Sequence, residues 1–292
     1  MGYAFETVDV FTERRFGGNP LAVFTEAAGL RDAEMQALAF ECNLSETTFV
    51  LPPADAANSA RVRIFNRTAE MSFAGHPTIG TAYVLARAGH PDGDLLRLEV
   101  PAGVVSVEIE RADGEICGGK ITAPQPLSMG RSFPAPMIAA CVGLTPDDVV
   151  VDAHAPTLAS VGNTYVIAEV AAQALAHCVP SLEGFRAAFD GGPDLAGRFS
   201  LYVYSQDGAN VRARMFAPLA GTWEDPATGS AATPLAGLLL SVRGGEALEF
   251  DVRQGEEMGR PSLLRVSARR GEAGIITTVA GSCVPMFRGE TQ

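Results

Sequence analysis

Residues 228–242 read TGSAATPLAGLLLSV, a run that is apolar on most faces when it is wound as a helix. Residues 77–89, PTIGTAYVLARAG, have the same character and end at a glycine that closes the helix. A helix that is apolar nearly all round belongs in a protein core. Short strand-like runs flank both segments. The sequence therefore predicts an α+β fold of two pseudo-symmetric lobes, each a curved mixed β-sheet wrapped round a central buried helix.

The strand-like runs repeat with a similar rhythm in the two halves. The first half contains AFETVDVF, GGNPLAVF, ETTFVLP, ARVRIFN, LLRLEV, VVSVEIE and EICGGKITAP, and the second contains TYVIAEV, RFSLYVYS, NVRARMFAP, EALEFDV, LLRVSAR and GIITTV. The two helices lie about 150 residues apart, which is typical of a duplicated unit. We expect lobes at 1–125 and 126–292, with the last strand able to cross back to the first lobe.

Charge and composition exclude several classes of function. The chain of 292 residues has 22 Lys and Arg against 34 Asp and Glu, a net charge of −12, which argues against nucleic acid as a partner. No apolar run reaches the roughly 20 residues that span a bilayer, so no membrane association is expected. The first 16 residues lack a basic region followed by an apolar stretch. We predict a cytoplasmic protein.

The reactive residue types are few and scattered. The five cysteines are odd in number, widely spaced and without a CxxC pair, which argues against a disulfide framework and a zinc site. Lys120 is the only lysine, and it lies in a segment typical of a strand entered from a glycine turn. A Schiff-base mechanism would have to use this residue. We expect no metal and no cofactor.

The first helix entrance, FAGHPTIG, places Gly75 and His76 before Pro77. Proline favours the first helical position, so His76 is expected at or near the N-cap. The positive end of the helix dipole would favour the neutral imidazole there, which can donate or accept one hydrogen bond. A histidine that only caps the helix is an equal alternative.

The second entrance, EDPATGSAATP, contains Pro234, which a helix interior tolerates poorly. The helix is therefore expected to begin between Gly229 and Ala232. The amides of Gly229 and Ser230, with the serine hydroxyl and the helix dipole, would then form a site for a substrate carboxylate. Asp225 would lie at its rim. The alternative is that Asp225 caps a helix that begins at Pro226.

Glu46 stands in NLSETTFV, between a helix end and a strand rich in threonine and phenylalanine. A carboxylate with apolar neighbours can exchange protons near neutral pH. Taken alone, such a glutamate is more often an exposed charge at a strand end.

Six segments, taken together and in this order, resemble the phenazine-biosynthesis PhzF-like isomerase family. They are GGNPLAVF (17–24), NLSETTFV (43–50), FAGHPTIGTA (73–82), RMFAP (214–218), EDPATGSAA (224–232) and QGEEMGRPS (254–262). The resemblance covers essentially the whole chain. It implies the diaminopimelate epimerase-like fold, with an active site in the cleft between two lobes, and it makes a homodimer plausible.

The resemblance also implies roles for individual residues. Glu46 becomes the acid/base that moves a proton between carbons of the substrate. His76, Asp225 and Ser230 become orienting or proton-handling groups, and Gly229 joins Ser230 at the substrate carboxylate. Asn19 and Gly75 are expected to line the same cleft. The function implied is a cofactor-independent isomerase of a small unsaturated or cyclic metabolite that carries a carboxylate.

Three other functions stay open at this point. The first is a racemase or epimerase of a small amino acid-like substrate. Enzymes of this fold with that activity use two cysteines, one at each helix entrance. The entrances here read GHP and TGSA and contain no thiol, which argues against that route. A non-catalytic binding or scaffold protein could retain the fold, although the set of Glu, His, Asp and Ser is intact. A thiol enzyme could use Cys42, which a small core residue on an amphipathic helix explains better.

Overall fold

A computed structural model describes residues 2–90, 94–195, 197–208 and 210–292. The chain forms two compact units. The first contains residues up to Thr122 together with Ala280–Gln292, and the second contains Ala123–Val279.

The first unit is rich in strands and contains one buried helix and one partly exposed helix. Its strands are β1 (Ala4–Val10), β2 (Asn19–Phe24), β3 (Glu46–Leu51), β4 (Ala60–Phe65), β5 (Glu70–Met71), β6 (Leu95–Val100), β7 (Gly103–Ala112) and β8 (Glu115–Thr122), and its helices are α1 (Asp32–Cys42) and α2 (Gly75–Arg87). Strand β1 pairs antiparallel with β2, and β2 pairs parallel with β3. Strand β3 continues through β4 to β6, β7 and β8. The sheet is thus mixed, as the sequence predicts.

Helix α2 is the core of this unit. Every residue from Gly75 to Ala86 is buried, as expected for a helix that is apolar on nearly every side. Gly80 allows the helix to approach the sheet closely, because a Cβ atom there would lie 2.6 Å from Leu21 and 2.8 Å from Val10. The close contact packs the second turn of α2 against β1 and β2.

The second unit has more helices. Its strands are β9 (Ser128–Ser132), β10 (Val149–Val150), β11 (Thr157–Ser160), β12 (Thr164–Val170), β13 (Leu201–Asp207), β14 (Asn210–Ala217), β15 (Thr222–Asp225), β16 (Ala247–Gln254) and β17 (Ser262–Gly271), and its helices are α3 (Ala135–Val142), α4 (Leu182–Ala188) and α5 (Gly229–Arg243). Strand β18 (Gly274–Glu290) begins in this unit and ends in the first, where it pairs antiparallel with β1. The sequence does not predict α3, α4 or the full length of β18.

Helix α5 begins at Gly229, with Thr228 as its N-cap. The start lies in the predicted range, and a helix beginning at Pro226 is wrong. Pro234 is inside the helix, in its second turn, whereas the sequence predicts it in the first. The missing amide of Pro234 leaves the Ser230 carbonyl without its helical donor. Ten other residues of α5 are apolar or small and are buried, so their packing outweighs the cost of the lost helical hydrogen bond.

Strand β14 organises the part of the second unit that contains Asp225 and Gln254. One edge pairs with β13 from Asn210 to Phe216. The other edge pairs with β16, where Ala213 faces Gln254, and with β15, where Met215 faces Asp225. Since each edge holds one strand at a time, β15 and β16 follow each other along the same edge. Their ends are therefore neighbours in space.

Two further expectations are met in the described residues. The predicted α+β architecture, a mixed sheet with one buried helix in each half, is confirmed. Lys120 lies within β8, as the sequence predicts, and its Nζ atom is 3.5 Å from Oε2 of Glu108. Within the described ranges, no helix is both long and apolar enough to cross a membrane.

Candidate active site

Glu46 is the first residue of β3, and its position follows from the pairing of that strand. The parallel register places Glu46 opposite Leu21, next to the start of β2. The Glu46 side chain is only 16% exposed. An exposed charge at a strand end, the simpler interpretation of this residue, is therefore wrong.

His76 is the second residue of α2, two positions after the N-cap Ala74. The sequence predicts Pro77 at the first helical position, but it is the third. Proline is tolerated there because the first helical amides have no acceptor within the helix. The Nε2 atom of His76 lies 3.4 Å from Oε2 of Glu46. Glu46 and His76, the two predicted catalytic residues of the first unit, thus lie side by side.

The His76 ring is neutral in the folded protein. Burial lowers the pKa of His76 from 6.5 to about 3, although a hydrogen bond to the Pro20 backbone acts in the opposite direction. A neutral imidazole has one N–H group, and the Pro20 carbonyl can only accept. The nitrogen that faces Pro20 therefore carries the hydrogen. Nε2 faces Glu46 with a lone pair, so the contact is not an ion pair.

Asn19 and Gly75 flank this pair. Asn19 is the first residue of β2, is fully buried, and directly precedes Pro20. Gly75 is the first residue of α2 and directly precedes His76. Asn19 is therefore next to the residue whose carbonyl contacts the imidazole, and Gly75 is next to the residue that carries the imidazole.

Asp225 ends β15 and is 7% exposed. Its Oδ2 atom accepts a hydrogen bond of 2.6 Å from the Thr228 hydroxyl. Thr228 is the N-cap of α5, so Asp225 is tied to the helix start through this residue rather than by capping the helix itself.

Gly229 and Ser230 are the first two residues of α5. Helix geometry gives their N–H groups no acceptor within the helix, and the dipole makes this end positive. The Ser230 hydroxyl lies 2.7 Å from the Tyr165 hydroxyl of β12, and Tyr165 is 6% exposed. Sequence reasoning missed Tyr165, because it lies 65 residues from Ser230.

Gln254, at the end of β16, is a second missed residue. It is 1% exposed, and its amide group donates hydrogen bonds to the Asp225 carbonyl and to the Thr228 hydroxyl. The segment QGEEMGRPS was part of the family resemblance, but its contact with EDPATGSAA depends on the register of β14, which the sequence pattern does not contain.

Arg214 and Glu224 form a third missed feature. Their side chains are 7% and 12% exposed, and two bonds of 2.8 Å and 2.9 Å join the guanidinium to the carboxylate. The guanidinium also donates to the carbonyls of Leu175 and Cys178. This pair holds β15, which carries Asp225, to β14.

Other chemistry receives less support. Burial raises the pKa of the Cys42 thiol, which leaves little thiolate near neutral pH. Among the residues that the structure describes, no group of three His, Cys, Asp or Glu side chains could hold a metal ion.

A sequence model of the PhzC-PhzF family, described as phenazine biosynthesis-like protein, matches residues 8–289. The chain belongs to this family. The trans-2,3-dihydro-3-hydroxyanthranilate isomerase of Pseudomonas aeruginosa is 38% identical over 277 residues, which cover 93% of this chain and 92% of that protein. The predicted family and the predicted isomerase class are both confirmed.

Solved structures agree with this assignment. A PhzF-family phenazine biosynthesis protein of Bacillus anthracis superposes with a TM-score of 0.88 at 25% identity, covering 100% of this chain and 99% of the other. A hydroxyproline epimerase of Agrobacterium vitis superposes with a TM-score of 0.65 at 14% identity, covering 99% and 92%. The second likeness shows the fold alone. The roles of the site residues and the homodimer stay predictions.

Proposed function

We propose that this member of the PhzC-PhzF family is a cofactor-independent isomerase that moves a proton between two carbons of a small carboxylate. Glu46 is the acid/base, and His76 is its partner. Gly229 and Ser230 bind the carboxylate, and Asp225 orients the substrate.

The observation that carries this proposal is the distance of 3.4 Å between Glu46 Oε2 and His76 Nε2. The imidazole is buried and neutral, and its N–H group is used by Pro20. A carboxylate that takes a proton from carbon becomes a carboxylic acid, which can donate a hydrogen bond. The Nε2 lone pair can accept that hydrogen bond. The pair is therefore suited to hold a proton between its removal and its return.

The proposed reaction is balanced with these groups alone. A C–H bond breaks as the proton passes to Glu46, and the electron pair shifts the conjugated double bond by one position. A new C–H bond forms when Glu46 returns the proton to the other carbon on the same face. Positioned acid/base catalysis of this kind contributes roughly a hundred- to ten-thousandfold in rate.

The first turn of α5 supplies the complementary interaction. A substrate carboxylate at Gly229 and Ser230 would accept hydrogen bonds from backbone amides at the positive end of a buried helix. The same amides would stabilise negative charge that spreads toward the carboxylate when the carbon loses its proton.

The name of one relative supports a substrate class. The P. aeruginosa protein carries the name of an isomerase of trans-2,3-dihydro-3-hydroxyanthranilate, a cyclic unsaturated carboxylate. We propose a substrate of this class for the present chain and use that compound as the test substrate.

The test replaces Glu46 by Gln, which keeps the shape and removes the base. We expect turnover, and the exchange of substrate hydrogen with deuterium oxide followed by proton NMR, to fall by roughly a hundredfold or more. Glu41→Gln is the matched control, because Glu41 is an exposed glutamate of the neighbouring helix α1.

Two results would contradict the proposal. Unchanged exchange in Glu46→Gln would remove Glu46 from the mechanism. Inversion at a single carbon, in place of proton movement between two carbons, would make the protein an epimerase.

A further inference from the structure

The side-chain amide of Gln254 makes four hydrogen bonds while it is 1% exposed. Nε2 donates to the Asp225 carbonyl at 2.8 Å and to the Thr228 hydroxyl at 3.0 Å. Oε1 accepts from the Thr228 amide and from the Tyr202 hydroxyl, both at 3.2 Å. A glutamine amide has two N–H donors and an oxygen with two lone pairs. The four hydrogen bonds therefore use every donor and acceptor position of the Gln254 amide.

The partners fix which end of the amide is which. The Thr228 backbone N–H can only donate, so it faces Oε1, and the Asp225 carbonyl can only accept, so it faces Nε2. Burial raises the pKa of the Tyr202 hydroxyl, which keeps its hydrogen and donates it to Oε1. A flipped amide would set its oxygen against the Asp225 carbonyl and its N–H₂ group against the Thr228 backbone N–H.

This orientation sets the direction of the next hydrogen bond. The Thr228 hydroxyl accepts a hydrogen from Gln254 Nε2, so its own single hydrogen is available to Asp225 Oδ2, 2.6 Å away. The chain runs from Gln254 through Thr228 to Asp225. It delivers a hydrogen-bond donor to one oxygen of the Asp225 carboxylate.

We propose that Gln254 is a positioning residue of the active site. Through the Thr228 hydroxyl it holds the Asp225 carboxylate in one orientation, and through the Thr228 amide it fixes the N-cap from which α5 begins. The proposal rests on the proposed function, which assigns Asp225 and the first turn of α5 to the substrate.

The rest of the 254–262 segment supports the same loop. The Ser262 hydroxyl donates to the Pro226 carbonyl at 2.9 Å. Gly255 has a φ of +76°, and a Cβ atom there would lie 2.6 Å from the Pro226 carbonyl oxygen. Contacts at Asp225, Pro226 and Thr228 thus hold this loop at three points. Gln254 makes the contacts at Asp225 and Thr228, on either side of the proline.

Two substitutions of Thr228 separate the role of its hydroxyl group from its contribution to the stability of the fold. Thr228→Val keeps the size of the side chain and the amide bond to Gln254 but removes the hydroxyl, whereas Thr228→Ser keeps the hydroxyl. With trans-2,3-dihydro-3-hydroxyanthranilate we expect kcat of Thr228→Val to fall roughly tenfold to a hundredfold with little change in KM, by analogy with other supporting residues. Thr228→Ser should stay near the wild type.

Gln254→Glu tests the amide directly, because it keeps the shape and replaces both N–H donors by an oxygen. We expect it to lower kcat and to raise KM, since both the Asp225 orientation and the α5 start depend on the amide. Tyr202→Phe is the control, because it removes one acceptor interaction of Gln254 and leaves both donors. Equal losses in Gln254→Glu and Tyr202→Phe would contradict the role of the donors.

A measurement without substrate checks the network itself. In protein labelled with ¹⁵N glutamine, the side-chain N–H signals of Gln254, assigned by their loss in Gln254→Glu, should exchange with deuterium oxide slowly, because both hydrogens are bonded and buried. Rapid exchange would overturn the proposal. If exchange is slow and Glu46→Gln abolishes turnover, but Thr228→Val keeps the wild-type kcat, the positioning role fails while the proposed function stands. If Glu46→Gln keeps turnover, the proposed function fails first.

Discussion

Replacing His76 by Asn should change how stability depends on pH. Burial lowers the pKa of His76 in the folded protein from 6.5 to about 3. Between these values the unfolded chain binds a proton that the folded chain does not. The histidine therefore costs no stability above about pH 6.5 and destabilises the fold progressively as the pH falls toward 3.

The size of the effect follows from the two pKa values. With 6.5 for the unfolded state and about 3 for the folded state, linkage gives a loss of about 2 kcal/mol between about pH 7.5 and about pH 5. His76→Asn cannot take up that proton, and its amide can still donate toward the Pro20 carbonyl. We expect the variant to be less stable than the wild type near pH 7.5, through lost packing, but to lose about 2 kcal/mol less on acidification.

The assay is urea unfolding of both proteins at the two pH values, followed by circular dichroism. His177→Asn is the control, because the His177 side chain is exposed and reports the effect of losing an imidazole in water. Parallel losses of stability in the wild type and in His76→Asn would refute the neutral, buried imidazole on which the proposed proton transfer depends.

Two further substitutions test the elements that support Asp225. Gly255→Ala should lower the free energy of unfolding by more than Gly259→Ala in thermal or urea denaturation, because both glycines have positive φ but only Gly255 would place its Cβ against backbone oxygens; equal losses would show that the turn adjusts freely. Arg214→Met should cost about 3–5 kcal/mol in urea unfolding, since it leaves the Glu224 carboxylate, whose side chain is only 12% exposed, without its partner. Arg212→Met, at a more exposed pair, should cost at most about 1 kcal/mol, and similar losses in the two variants would contradict the assigned burial.

The sequence by itself determined the two central helices, most of the strands and the residue types at the two helix entrances. The lack of a polar face located the helices α2 and α5 in the core, because a helix that is apolar on most faces is stable in water only when it is buried. Pro234 placed the start of α5 between Gly229 and Ala232, and the structure begins the helix at Gly229. The motif around Glu46, with the entrances, identified the family and the residues that the proposed mechanism uses.

Only the tertiary structure decided which of these residues meet. The 3.4 Å contact of Glu46 with His76 depends on the parallel register of β2 with β3 and on the depth of α2 against the sheet. Gln254 reaches Asp225 because β16 and β15 follow each other along one edge of β14. Local sequence patterns carry propensity and periodicity, but the register between distant strands is set by the packing of the whole unit, so these contacts appear only once the chain has folded.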